Sequence, residues 1–195
     1  MTPLLVLVIA YLLGAIPFGY LLMKAKTGED VRAKGSGNIG ATNVMRVGGK
    51  LAGLATLLLD IAKGYLAVWI AERLTGDTLV MSAAAVTVMA GHAFPVFLRF
   101  KGGKAVASFV GAFLCLTPWA LVVEIIVFVV VVFWTRHISM GSIVGAATFP
   151  LAVWLVQHAP WEAVAASIIG ATFIIYRHSG NIERLRDGTE NVFKL

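Results

Sequence analysis

The sequence predicts an all-α, polytopic integral membrane protein of about seven transmembrane helices, with the N-terminus outside and the C-terminus in the cytoplasm. Three observations predict it. Of 195 residues, 59% are apolar and only 13% charged, about half the roughly 25% charge of soluble domains, and the mean hydropathy is +0.88. A soluble fold of this size cannot bury that much apolar surface. Apolar stretches of about 20 residues, enough to cross a bilayer at about 1.5 Å per residue, recur along the chain. Finally, the basic residues collect on one side of those stretches. In a soluble chain the net charge of +6 would point to nucleic acid; here it reflects cationic cytoplasmic loops, and no nucleic-acid partner is expected. Cys115 is the single cysteine and lies in an apolar run, which excludes a disulfide scaffold.

Thr2–Met23 carries no charge and forms the first span; it lacks the basic leader and small-residue cleavage site of a signal peptide. Leu51–Arg73 follows, interrupted by Asp60 and Lys63, then Thr78–Leu98 with His92 near its end. His137–Trp161 and Pro160–Tyr176 supply two more, the latter opening on a proline where a helix tolerates one. Ala105–Thr135, 31 residues with Glu124 as one charge, reads as one long helix or as two broken near Thr117-Pro118. Charge decides between them. With two helices there are seven spans, and 14 of the 16 basic residues, Lys194 included, fall on one side; Arg73 faces the other and Lys63 lies within a helix. With one helix the split drops to about 9 against 6, and the positive-inside rule therefore selects seven. No soluble domain or repeat interrupts this pattern, so 1–195 reads as a single domain.

The expected outer loops, near Thr75–Asp77 and His158–Ala159, are too short to hold a site. Polar, glycine-bearing sequence falls on the cytoplasmic side, in Lys34–Arg46, Phe100–Lys104, Thr135–Ser142 and His178–Glu190. Such segments suit an oxyanion: glycines let the backbone approach and present N–H groups, Ser and Asn add neutral donors, and Lys and Arg add charge. The second, fourth and sixth spans begin on this side and turn positive dipole ends toward it. Gly102-Gly103-Lys104 leads straight into the fourth, a natural phosphate seat, with Ser142 before the sixth as a further donor. It is not a Walker A motif, since Ala105 replaces the Ser/Thr. One such loop alone reads more readily as a plain turn; four on one face point to phosphate. Neither the acidic residues there (Glu29, Asp30, Glu183, Asp187, Glu190) nor His92, His137 and His178 are spaced as a metal cage, so neither metal nor cofactor is expected. Asp60 and Lys63, at i and i+3, suit a structural ion pair locking their helix; in a membrane transporter of a small anion, the competing class, they would be the coupling pair. Against transport, no broken helix pair or inverted repeat is evident. Glu124 receives no role. Cys115 reads as packing, and Trp119, Trp134, Trp154 and Trp161 as packing or interfacial anchors.

Several segments in order resemble one family, the bacterial acyl-phosphate:glycerol-3-phosphate acyltransferases of the PlsY type. Gly14–Gly19 is similar to the family's first helix, and Ser36–Arg46 to its first cytoplasmic motif, followed by Leu59–Gly64. Gly91–Phe97 running into Phe100–Lys104 resembles the second motif; His178, Asn181-Ile182, Arg184-Leu185 and Gly188–Glu190 resemble the third. Ala105 stands where a glycine is usual, and Ser179 where an arginine is common.

The resemblance implies a single transmembrane acyltransferase domain in the bacterial inner membrane, its site facing the cytoplasm. The implied reaction moves a fatty acyl group from acyl phosphate to the sn-1 hydroxyl of glycerol 3-phosphate, giving lysophosphatidic acid and inorganic phosphate for phospholipid synthesis. No CoA or acyl carrier protein is required, and the lipid bilayer is the remaining partner. An acyl phosphate carries its own good leaving group, so no strong protein nucleophile is needed, and two phosphate-bearing substrates call for two anion seats. Gly102, Gly103 and Lys104 would hold one phosphate, helped by Ser142. Ser36, Asn38, Thr42, Asn43 and Arg46 would form the other wall, and His178 and Asn181 would orient the acceptor. The resemblance makes Ser36, Arg46, Lys104, His178 and Asn181 catalytic and gives Glu190 a structural part. Either His178 or the bound substrate's own phosphate would take the hydroxyl proton; the nearest match to an acyltransferase His-x4-Asp pair is His178 with Glu183.

Overall fold

Pro17 breaks the first expected span. The computed structural model describes residues 2–193, and Lys194, counted among the inside charges, lies outside them. Helix α1 runs over Pro3–Ala15 and α2 over Phe18–Thr27, because a proline has no N–H to continue the ladder. The Ile16 carbonyl at the break accepts a hydrogen bond from Lys63 Nζ at 2.8 Å. Helix α2 stops at Gly28, whose φ of 74° is the left-handed cap conformation, with Lys24 and Lys26 in the last turn where the dipole favours cations. This is a single broken span, not the broken pair in two corresponding halves that a transporter would call for.

Next come a 3-10 turn, Val31–Ala33, and a short helix α3, Ala41–Gly48, before the long α4, Lys50–Thr75. The expected Leu51–Arg73 thus lengthens by a residue or two at each end. Helix α5, Thr78–Ala93, starts on Asp77, whose carboxylate accepts the Leu79 N–H at 2.8 Å. It ends earlier than expected because Phe94 precedes a proline, and Val96–Leu98 becomes a separate 3-10 turn. Glycines let α1 and α5 pack closely: a Cβ at Gly14 would run into the Val88 carbonyl, and one at Gly91 into the Tyr11 carbonyl.

The stretch 105–135 is two helices, α6 (Val106–Leu116) and α7 (Pro118–Thr135), parted at Thr117 with Pro118 opening the second. Helix α6 crosses α4 closely, Gly64 lying against the Ser108 carbonyl and Gly111 against that of Ile61. At 11 residues it spans only about 16 Å. The described residues form two compact units that divide after Cys115.

In the second unit, α8 covers Ile138–Leu155, α9 Trp161–Arg177 and α10 Ser179–Arg186. Helix α8 ends six residues short of the expected Trp161, and α10, like α3, was not anticipated. Glu124 sits at the α7–α8 contact, 6% exposed, its carboxyl in a notch left by Gly145. Trp119 and Trp134 stand exposed near opposite ends of α7, with Trp154 and Trp161 exposed at helix ends nearby in sequence, as interfacial aromatics do.

No strand occurs among the described residues. Among the described residues, five stretches are long and apolar enough to cross a membrane: 3–27, 50–75, 78–98, 118–135 and 138–155; α6 and α9 are shorter.

Candidate active site

The first-motif loop is organised around Asn43. This side chain is 2% exposed. Its Nδ2 donates to the carbonyls of Asn38 at 2.8 Å, Lys34 at 3.1 Å and Val31 at 3.3 Å, while its Oδ1 accepts the Ser36 N–H at 2.8 Å. Asn43 therefore shapes the loop, with its amide donors and its oxygen both turned to backbone. Gly35 turns against it at φ 59°, where a side chain would strike Asn43 Oδ1. Asn38 is committed as well, its Oδ1 accepting the Gly40 N–H at 2.7 Å ahead of α3. Ser36, Thr42 and Arg46 have exposed side chains.

Asp30 anchors the start of this loop. Its Oδ1 accepts the Arg32 N–H at 2.9 Å and its Oδ2 pairs with Arg32 Nη2 at 2.6 Å. The hydrogen-bonded Arg32 side chain holds the Asp30 carboxyl below the usual carboxylate range, against the opposing effect of burial. The Arg32 guanidinium also lies 5.4 Å from the Tyr20 ring centroid, and Lys34 pairs with Glu29. Beneath the loop, Met23, Val31, Ile39, Val44 and Leu98 form a small apolar core. Leu98 belongs to the second-motif loop, so this core holds the two loops together.

The second-motif loop folds back on α5. The Gly102 N–H donates to the Ala93 carbonyl and the Gly103 N–H to the His92 carbonyl, each at 3.1 Å. The sequence reading presents these amides to a phosphate; the structure commits them to the end of α5. Both glycines are required by space instead. A Cβ at Gly102 would meet the His92 carbonyl and Pro95, and one at Gly103 the His92 ring. Arg99 and Phe100 take left-handed conformations in succession, φ 53° and 62°, and so does Ala105 at 63°. Lys104 follows the glycines, half-buried.

Behind this loop lies a cluster of charges. Lys63 Nζ is 2.7 Å from Asp60 Oδ1, and His92 Nδ1 is 3.6 Å from the same oxygen; all three residues are at most 4% exposed. Lys63 also stands 5.6 Å from the Phe18 ring centroid. Asp60 and Lys63 do pair as their spacing suggests. The part of His92 was not legible, because nothing in sequence links residues 60, 92 and 103.

In the second unit the third-motif residues gather on Glu190. Its Oε1 accepts from Asn181 Nδ2 at 2.7 Å and Ser139 Oγ at 3.0 Å, and its Oε2 from Arg184 Nε at 2.7 Å. Backbone bonds tie the tail further, the Thr189 N–H reaching the Arg184 carbonyl at 2.8 Å and the Phe193 N–H that of Arg136 at 2.7 Å. His178, 3% exposed, directs Nδ1 to the Ile174 carbonyl at 2.8 Å. Ser142 is buried, and its hydroxyl donates to the Ile138 carbonyl at 3.0 Å, within its own helix. Ser139, one turn earlier, holds the contact to the tail. Sequence reasoning missed it, although it lies in the quoted segment Thr135–Ser142.

Comparison with solved structures fixes the class. The chain superposes over its full length, and 96% of the other chain, on PlsY (YgiH), an integral membrane glycerol 3-phosphate acyltransferase in its glycerol 3-phosphate form, with a TM-score of 0.94 at 37% identity. The lysophosphatidic acid form of that enzyme gives a TM-score of 0.91 at 35% identity, again over the full chain and 96% of the other. The fold is that of an integral membrane acyltransferase. Glycerol-3-phosphate acyltransferases from Syntrophomonas wolfei and Geotalea daltonii are 43% and 44% identical. The first match covers 94% of this chain and 93% of the relative, the second 100% of both. The family described as glycerol-3-phosphate acyltransferase matches residues 4–188, and the chain belongs to it.

Proposed function

We propose that this glycerol-3-phosphate acyltransferase takes its acyl group from acyl phosphate and places it on the sn-1 hydroxyl, releasing lysophosphatidic acid and inorganic phosphate. The observation that carries the reading is the full-length match to PlsY in glycerol 3-phosphate and lysophosphatidic acid forms, an acceptor and a product of this reaction. The hydroxyl oxygen bonds to the acyl carbon, the bond from that carbon to the phosphate oxygen breaks, and phosphate leaves with the electron pair.

Lys104 supplies a point charge to one substrate phosphate, and Ser36, Thr42 and Arg46 line the other seat with donors. Asn38, Asn43, Gly102 and Gly103 act by shaping these loops. Either His178, whose Nδ1 is directed to the Ile174 carbonyl at 2.8 Å, or the bound substrate's own phosphate takes the hydroxyl proton. Asn181, set by Glu190, orients the acceptor. The chain works as one domain in the bacterial inner membrane. It crosses seven times, with α6 and α9 as the short crossings, the N-terminus outside and the site facing the cytoplasm.

The test is phosphate release by the purified protein given acyl phosphate and glycerol 3-phosphate. Release that needs both substrates is expected; a comparable rate with acyl-CoA, or with acyl carrier protein as donor, would overturn the donor assignment.

A further inference from the structure

The Asp60–Lys63–His92 cluster is more elaborate than charge balance requires. Lys63 alone neutralises Asp60 at 2.7 Å and is itself tethered to the Ile16 carbonyl at 2.8 Å. His92 is a third member, buried to 4% exposure, with Nδ1 turned to the same carboxylate oxygen at 3.6 Å. The opposite edge of its ring faces the second-motif loop, where a Cβ on Gly103 would run into Nε2. Its carbonyl accepts the Gly103 N–H, and the next carbonyl, Ala93, accepts that of Gly102. One residue therefore fixes the loop twice, by backbone hydrogen bonding and by the Nε2 edge of the ring against which Gly103 lies. Lys104 is the next residue in the chain.

We propose that His92 is a positioning residue for Lys104: Asp60 orients the imidazole, the imidazole beds Gly103, and the height of that bed sets where the Lys104 ammonium is delivered. Only glycine fits at 103, because the ring occupies the space of a side chain. The carboxylate faces one nitrogen of the ring at 3.6 Å, an electrostatic contact longer than a hydrogen bond, and Lys63 holds the carboxylate to the break between α1 and α2. Lys63, Asp60, His92 and Gly103 thus form a continuous chain of contacts from the α1–α2 break to the loop. The proposal deepens the phosphate-contacting reading of Lys104 and rests on it.

The experiment is a double-mutant cycle between His92→Ala and Gly103→Ala, read as kcat and KM for glycerol 3-phosphate together with thermal stability in detergent. Each single change misplaces the loop and is expected to lower kcat/KM by up to about a hundredfold, the cost of a displacement near 1 Å. The two together should recover at least about tenfold over Gly103→Ala, because the new methyl enters the space the ring has left. A residue that matters only for stability predicts the reverse, a double variant no better than its worse parent, and that result overturns the proposal. A second readout needs neither activity nor Gly103→Ala. In a Cys115→Ala background, the thiol-labelling rate of Lys104→Cys should change several-fold when His92→Gln or His92→Ala is added, and an unchanged rate also overturns it. Lys104→Ala separates the two ideas. If it keeps wild-type kinetics, the phosphate reading of the loop fails; if it is crippled while His92 variants are normal, the positioning role fails alone.

Discussion

Asn181 donates to Glu190 across 2.7 Å, and this bond joins the short helix α10 to the segment that follows it. Ser139 and Arg184 complete the carboxylate's partners, so Glu190 fastens the tail to the first turn of α8. Glu190→Gln would turn an amide N–H₂ toward a donor, at a cost of roughly 1–3 kcal/mol. Burial opposes ionisation of Glu190, but the hydrogen bonds from Asn181, Arg184 and Ser139 outweigh it and hold the carboxyl below its ordinary value of 4.5. A depressed folded value means the stabilisation is complete above about 4.5 and disappears as pH falls through the lower folded value. The apparent Tm of the wild type should therefore drop on acidification in that window, and that of Glu190→Gln should drop less. Parallel curves would exclude the linkage.

Lys104 stands half-buried at the mouth of α6, and the amides of the two preceding glycines are directed into α5. On the proposed reading, the side-chain charge rather than those amides makes the contact to phosphate. Removing a donor that stabilises developing charge costs about 2.7–4 kcal/mol, roughly a hundred- to a thousandfold in rate. Lys104→Ala should remain folded and lose at least about a hundredfold. Lys26, which donates to the Gly48 carbonyl at 2.7 Å, serves as the control, and Lys26→Ala should stay near wild type. Equal losses would mean that the basic surface acts as a general field.

Ala105 adopts φ 63° while 1% exposed, a left-handed conformation that costs a residue bearing a Cβ about 1–2 kcal/mol. Ala105→Gly removes that strain and gives back part of it in chain entropy. The expected outcome is a gain of up to about 1 kcal/mol, read as a higher apparent Tm, with activity retained. A lower Tm would show that the methyl group's packing outweighs the strain.

Topology is tested by cysteine accessibility in a Cys115→Ala background. Lys34→Cys, Lys101→Cys and Arg186→Cys should label only from the cytoplasmic side. External labelling of Arg186→Cys would overturn the seven-crossing topology and leave six crossings.

The long helices were legible because apolar length and charge are properties of sequence itself. Thr117-Pro118 marked the break between α6 and α7 through proline's missing N–H. The same chemistry at Pro17 went unread, since the run from Thr2 to Met23 stays apolar across the break and hydropathy does not register it. Helices α3 and α10 are eight residues each and mixed in polarity, too short for a period to emerge. The candidate site was legible as a set of residue types, while their division of labour was not. Asn43 and Ser142 look like donors to a ligand in sequence, and only the fold shows their groups turned to nearby carbonyls. Glycines 102 and 103 suit a phosphate cradle and a tight approach to a ring equally well, and the choice depends on a histidine from another helix.

The shortness of α6 has a physical reason and an effect on lipid handling. Gly103 meets one edge of the His92 ring and the other edge faces Asp60, which lies about 15 Å along α4 from its first residue, so the loop before α6 packs beside the interior of that helix rather than at its end. Backbone outside a helix survives at such depth because the α5 carbonyls satisfy it. On the proposed topology and donor, this places polar groups near the level where acyl chains begin, so that a fatty substrate would meet them with its tail still in the leaflet. Each methylene drawn out into water would cost about 0.8 kcal/mol, and an enzyme with a sunken loop never has to lift one.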